Sequence, residues 1–358
     1  MNIFATLCIN YLQLLDVVVY YNTHIGEKKV NIKKLLSIAS VVSLSTVALF
    51  ANGTKEINSN PNSYKVGVSK ILPHPALDAV EQGIQDYLAT TDLEITYDFQ
   101  NANGDISTAA SIASQLKSEK VDVAVGIGTP TAQALANSME TTPIVFSAVT
   151  DPEASGLTGP TYCGVSDVTP VEAQLKLLVE VTGAKVIGNI YTSGEANGVI
   201  INNMVQEACD NLGLKCVSSA VSNSAEVKMA AQSIIDRVDA IYLGPDNAVV
   251  SAFSSISDVS SKNNIPVMSA DPTSSNGFDY LISWGFNYYN IGVATGKVIE
   301  QCLNGANPGD IGTVVLQDPS DFELWLNLDY AKQLGIEFDQ DLIDQAAVLV
   351  IDGENVEQ

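Results

Sequence analysis

Basic and imidazole side chains are scarce in this sequence. Seventeen Lys plus Arg stand against 41 Asp plus Glu, a formal charge of −24 at pH 7. A chain of that sign repels a phosphate backbone and forms no basic patch, so nucleic-acid binding is not expected. Arg237 is the only arginine, and it closes a helical pattern away from any strand end. A bidentate guanidinium clamp on a ligand carboxylate is therefore not expected. Histidine occurs twice, and His24 lies in a leader expected to be removed, which leaves His74 alone for any histidine chemistry. No GxSxG elbow, GxxxxGK[ST] loop or HExxH helix occurs. GIGTPTA (126–132) follows a strand but lacks the third glycine of a dinucleotide fingerprint. No catalytic residue, cofactor or metal site is expected. A carboxylate pair such as Asp151 and Asp271 could hydrolyse a glycoside, but aromatic platforms beside them are missing.

What is present is a core-building chain. Hydrophobic residues make up 46% and charged residues 16% of 358 positions, which argues against disorder and for two lobes or one very large α/β domain. Lys28, Lys29, Lys33 and Lys34 precede the uncharged run LLSIASVVSLSTVALFA (35–51), the pattern of a secretory signal. The run is shorter than the roughly 20 residues that span a bilayer, so export with cleavage near Ala51 is expected, to a periplasm or cell surface. The 27 residues ahead of that lysine cluster are unusual for such a signal. A start at Val30, behind a purine-rich stretch encoding Gly26-Glu27, accounts for them. The expected division is thus a mis-assigned start (1–29), a signal peptide (30–51) and a linker (52–63). No cysteine adjoins the cut, so a lipid anchor is not indicated. Cys163, Cys209, Cys216 and Cys302 remain; export permits disulfides, and three pairings or free buried thiols are all open.

From Tyr64 onward short β-branched runs alternate with helical patterns, the rhythm of a parallel sheet with helices on its faces. Strands are expected over 64–71, 93–100, 121–128, 143–149 and 162–166. The rhythm then restarts with strands over 185–192, 214–221, 240–244 and 266–270. Thr129-Pro130 and Thr169-Pro170 read as N-caps with Pro at N1, and Asn223 to Glu226 as a capping box. Two similar Rossmann-like α/β lobes with parallel sheets are expected from the repetition; that a hinge joins them is what the resemblance given below implies.

In open parallel sheets, ligands meet the carboxyl ends of the strands. The residues there are His74, Thr129, Thr131, Ala132, Thr150, Asp151, Ser193, Gly194, Glu195, Ala196, Asn197, Asp246, Asn247 and Asp271. Helix capping competes as an explanation for Thr129, Ser193 and Asp246, and His74 could be a turn residue ahead of Pro75. Without an arginine, an anionic head would be held by hydroxyls and helix N-termini at 129–132 and 193–197. An acid at another strand end, Asp246 for preference, would hold an ammonium group. Together these describe a receptor for a zwitterion.

At these residues the chain resembles ABC transporter substrate-binding proteins of the tryptophan/aromatic amino acid type, a branch of type I periplasmic binding proteins. The matching stretches are HPALDAVEQGIQDYL (74–88), NANGDISTAASIASQL (101–116), TPTAQALAN (129–137), FSAVTDPEASGL (146–157), GVSDVTPVEAQL (164–175), IYTSGEANG (190–198), DNAVVSAF (246–253) and GFNYYNIGVATGKV (285–298). The resemblance implies an amino acid, such as tryptophan or phenylalanine, bound between two lobes and handed to a membrane permease by a monomer without enzyme activity. The lobes are expected at 64–166 with 286–318, and 167–285 with 319–358. On the same resemblance Asp246 takes the ammonium, while Thr150 and Asp271 line the cleft. Departures are PTSSNGF (272–278) and an acidic tail beyond Ile336. A sugar, nucleoside or peptide receptor, with Tyr191, Trp284 or Phe286 as stacking faces, is the alternative; a secreted α/β enzyme is the more distant one.

Overall fold

The computed structural model describes residues 63–358. The expected leader, and all of the expected linker except Ser63, lie outside the described residues. Periodicity yields β1 (Ser63–Lys70), α1 (Pro75–Leu88), β2 (Glu94–Asn101), α2 (Ile106–Glu119), β3 (Val123–Ile127), α3 (Thr129–Ser138), β4 (Ile144–Val149) and β5 (Tyr162–Ser166). The rhythm resumes with α4 (Val171–Thr182), β6 (Val186–Thr192), α5 (Ala196–Leu212), β7 (Lys215–Val221), α6 (Val227–Ile234), β8 (Ala240–Leu243), α7 (Asn247–Ser251), α8 (Phe253–Lys262), β9 (Val267–Ser269), α9 (Pro272–Ser275) and β10 (Ile282–Phe286). Then come α10 (Tyr288–Leu303), α11 (Pro308–Ile311), β11 (Thr313–Val315), β12 (Phe322–Asn327), α12 (Leu328–Leu334), α13 (Gln340–Ile343), β13 (Val348–Ile351) and β14 (Glu354–Glu357).

These strands form two sheets, ordered β11-β5-β4-β3-β1-β2 and β14-β13-β12-β10-β9-β8-β6-β7. The first is parallel throughout; in the second, only β10–β12 and β13–β14 run antiparallel. Helices cover both faces, which is why β3 and β4 are apolar runs buried at every residue. The chain passes between the sheets at 166–171, 286–288 and 315–322. One core fills the first sheet's faces, from Val66 and Val68 to Ile291 and Ile299. Two others lie about the second, around Leu175, Ile187 and Leu326 and around Ile234, Ile241 and Phe253.

The helix that returns to the first sheet, α10, packs tightly on α1. A Cβ on Gly83 would stand 2.3 Å from the Tyr289 carbonyl oxygen, and one on Gly292 would stand 2.2 Å from that of Val80. Only glycine at both positions lets these backbones approach so closely. Among the described residues, no helix is long and apolar enough to cross a membrane.

Local expectations fail in two places, and one element carried no expectation. Gly128, at φ 90°, precedes α3, and Thr129 is its first helical residue, so Thr129 is no N-cap. Thr169 does not cap α4 either: its hydroxyl accepts from Gln174 Nε2 at 2.6 Å, because that amide is buried and needs partners. The tail beyond Ile336 carries α13 and the β13–β14 hairpin, which extends the second sheet parallel to β12. The cue for it, VLVI followed by Asp352-Gly353 at φ 54° and 79°, was a hairpin signal in plain view.

Candidate functional site

The carboxyl ends of strands from both sheets converge on a polar cavity of about 210 Å³. Its lining is His74, Leu77, Asp167, Pro245, Asp246, Asn247, Val250, Asp271 and Tyr288.

Its defining property is negative charge held out of water. Asp167, which follows β5, is 3% exposed; Asp246 and Asp271 are each 1% exposed and Glu195 is 7% exposed. Burial pushes Asp167 up to about 6, against hydrogen bonds from Thr150 Oγ1 and the Tyr288 hydroxyl, each 3.1 Å long. Burial likewise pushes Asp271 up to about 6. Burial and then the Asp246 charge raise Glu195 to about 7. No cation among the described residues balances them. The Lys70 ammonium is held by Asp78 at 2.5 Å and Glu81 at 2.9 Å. Burial lowers His74 to about 4, so its imidazole is neutral at physiological pH. Among the described residues, no group of three or more His, Cys, Asp or Glu is arranged to hold a metal ion.

The four acids are not equivalent. Asp246 caps α7 and ties it to β6: it accepts from Thr192 N and Thr192 Oγ1, both at 2.6 Å, and from Val249 N at 3.2 Å. Both of its oxygens are occupied by the protein itself. Glu195 accepts from Asn247 Nδ2 at 2.6 Å. Asp271 caps α9 through Oδ1, which accepts from Ser274 N at 2.9 Å, and no described hydrogen bond reaches its Oδ2. Asp167 and Asp271 lie close enough for the charge of one to raise the other.

Unpartnered polar atoms mark the rest of the site. His74 Nε2, Thr129 Oγ1 and Asn197 Oδ1 are buried and bond to nothing, a state that costs about 1–3 kcal/mol each unless a guest relieves it. Helices α3 and α5 touch one another. Their first-turn amides, Thr129, Thr131, Ala196 and Asn197, are beyond the reach of any intrahelical carbonyl. The other His74 nitrogen, Nδ1, is 3.3 Å from Ser274 Oγ, a link from the first sheet's side to the second's.

The structure brings together His74, Asp246, Asn247 and Asp271 in the lining, with Thr150 one bond behind through Asp167. Thr131 turns its hydroxyl back to the Ile127 and Gly128 carbonyls, and Ala132 is buried where Gly126 meets α3. Ser193 and Gly194 are exposed at the rim, Ser193 donating to the Val221 carbonyl, and Ala196 is half-buried behind them. Asp151 is apart: it accepts from Ala154 N in its own turn. Sequence reasoning missed Asp167, Tyr288 and Ser274. Asp167 was findable as a carboxylate directly after β5; Tyr288 and Ser274 carried no local signal. The expected stacking faces lie elsewhere, Phe286 being paired with Phe322 at 4.2 Å in the core.

Residues 65–350 match the profile of the ABC transporter substrate binding protein family. A tyrosine-binding protein of Clostridioides difficile is 32% identical over 326 residues, 85% of this chain and 93% of that one. The crystal structure of an ABC domain from Streptococcus pneumonia in complex with L-Trp is 31% identical, with a TM-score of 0.76, covering 80% of this chain and 100% of that one. A ligand-free, open substrate-binding protein with adhesive properties from Clostridium difficile is 32% identical, with a TM-score of 0.59, covering 78% and 97%.

Proposed function

The chain belongs to the ABC transporter substrate-binding protein family, whose members bind small molecules rather than transform them, and on that premise we propose that it is the exported receptor of an importer for an aromatic amino acid. It works as a monomer that hands its ligand to a membrane permease and performs no chemistry of its own. Its lobes are 64–166 with 286–318 and 167–285 with 319–358, and the ligand sits between them. The ligand ammonium lies between Asp167 and Asp271, beside the Tyr288 hydroxyl. Its carboxylate faces the N-termini of α3 and α5, with Thr129 and Asn197 as side-chain partners, and its ring lies toward Leu77, Pro245 and Val250. The assignment departs from the expectation for Asp246, because that carboxylate is already saturated by Thr192 and Val249.

One observation carries the reading: buried carboxylates surround a small cavity with no free cation among the described residues to meet them. Such charges are costly out of water until a partner of opposite sign arrives. An amino acid supplies that partner and, at its other end, an anion for the helix termini. At nearly equal identity, the chain is closer in form to the L-Trp complex than to the open, ligand-free relative, which supports reading it as the closed state. Closure is then stabilised by the ligand's differential affinity for it.

A thermal-shift screen over the twenty amino acids, sugars and nucleosides tests the proposal, since a ligand of the folded state raises its melting temperature. Tyrosine, tryptophan or phenylalanine should give the largest shift and a micromolar Kd by calorimetry, about −8 kcal/mol. A shift with a sugar or nucleoside and none with any amino acid would overturn it.

A further inference from the structure

Remote from the cleft, two cysteines far apart in sequence are neighbours in the first lobe's core, and we infer that Cys163 and Cys302 are joined as a disulfide in the exported protein. Cys163 lies on β5 and is fully buried; Cys302 lies near the end of α10 and is 8% exposed. Their sulfurs are 3.5 Å apart across 139 positions of sequence. In the described hydrogen bonds each sulfur has no polar partner except the other. The surroundings are apolar, Val145 pairing beside Cys163 in β4 and Ile299 one helical turn before Cys302. Because β5 and α10 already pack together, closing the sulfurs to the roughly 2.05 Å of a disulfide needs side-chain rotation and a small local adjustment.

Each thiol gives up a proton, and the pair gives up two electrons as the S–S bond forms. The acceptor is an exchangeable disulfide, that of an extracytoplasmic thiol–disulfide oxidoreductase in the cell or oxidised glutathione in the tube, which leaves as two thiols. Both sulfurs are buried once the lobe is assembled, so exchange precedes the docking of α10 on β5. The link closes a loop holding α4 to β10 and the first part of α10. It therefore ties together the two ends of the chain's long excursion through the second lobe and restricts the unfolded ensemble. Cys163 is near the start of β5, at the opposite end from Ser166, beyond which Asp167 enters the cleft, so the link leaves ligand contacts alone.

The inference rests on the reading of the protein as exported and is independent of which ligand it takes. Protein exported from the full-length gene is denatured, alkylated without reductant, digested and mapped by mass spectrometry. The expected result is a Cys163–Cys302 cross-linked peptide that disappears after dithiothreitol. Reduction should lower the melting temperature by roughly 5–10 °C, and in Cys163→Ala/Cys302→Ala it should lower it by much less. Recovery of both residues as alkylated free thiols, or of either one linked to Cys209 or Cys216, would overturn the inference. The wild-type map decides it even if the double variant folds poorly. Amino acid binding is titrated in parallel on the oxidised protein: its absence would count against the receptor reading and leave the cross-link standing.

Discussion

Replacing Asp167 by asparagine should move stability and binding in opposite directions. In the ligand-free protein, burial raises this carboxyl from an ordinary value near 4 to about 6. A carboxyl whose folded-state pKa is raised contributes stability that is present below its unfolded value and lost as pH rises through the folded one. At pH 7 the native state therefore bears a penalty of about 3 kcal/mol, from two units at 1.36 kcal/mol each. The substituted amide carries no charge, so the penalty vanishes, but one oxygen that accepts from Thr150 or Tyr288 becomes a donor, which costs about 1 kcal/mol. The net gain of about 1–2 kcal/mol should raise the ligand-free melting temperature by roughly 3–6 °C. The ammonium of the proposed ligand loses its counter-charge, and affinity should fall by about 2–4 kcal/mol, roughly 30- to 1,000-fold. Calorimetric titration beside thermal melts with and without ligand measures both. Unchanged affinity would remove Asp167 from the ammonium site. A lower melting temperature with intact affinity would make its carboxylate a structural strut and refute the reasoning.

Three further outcomes follow from the same geometry. Affinity should weaken as pH falls through about 6, approaching tenfold per unit for each of Asp167 and Asp271 that must be ionised, while His74 stays neutral above about 5 and contributes nothing; titrations between pH 5 and 8 would refute this if flat. Asp246→Ala strands the buried donors of Thr192 and Val249 and should cost about 3 kcal/mol of stability in urea unfolding, more than it costs in affinity at a temperature where the variant is folded. Gly292→Val drives a side chain into the Val80 carbonyl and should destabilise by about 2–3 kcal/mol; a melting temperature equal to wild type would show that α1 and α10 can separate freely.

Much of the architecture was legible because it is written in local periods. The alternation that marks β1 through β9 and the placement of polar residues after strands both depend on neighbours a few positions away. Of the residues expected at strand ends, His74, Asp246, Asn247 and Asp271 line one cavity. Asp151 is not among them, because its carboxylate closes its own turn. The β13–β14 hairpin is legible too, in the Asp352-Gly353 turn, although its strands are short and the segment is acidic.

Sequence alone determined the α/β class, the two sheets and the shortage of cations that leaves any buried acid wanting a foreign partner, since these follow from composition and short-range pattern. Only tertiary structure decided which acids the chain itself already satisfies. Asp246 and Asp167 look alike in one dimension, each a carboxylate near a strand end. The first is saturated by Thr192, 54 positions away, and the second accepts from Tyr288, 121 positions away. Contacts of that span exist only after both sheets have folded, when burial removes water and leaves each charge to whatever the chain brings beside it.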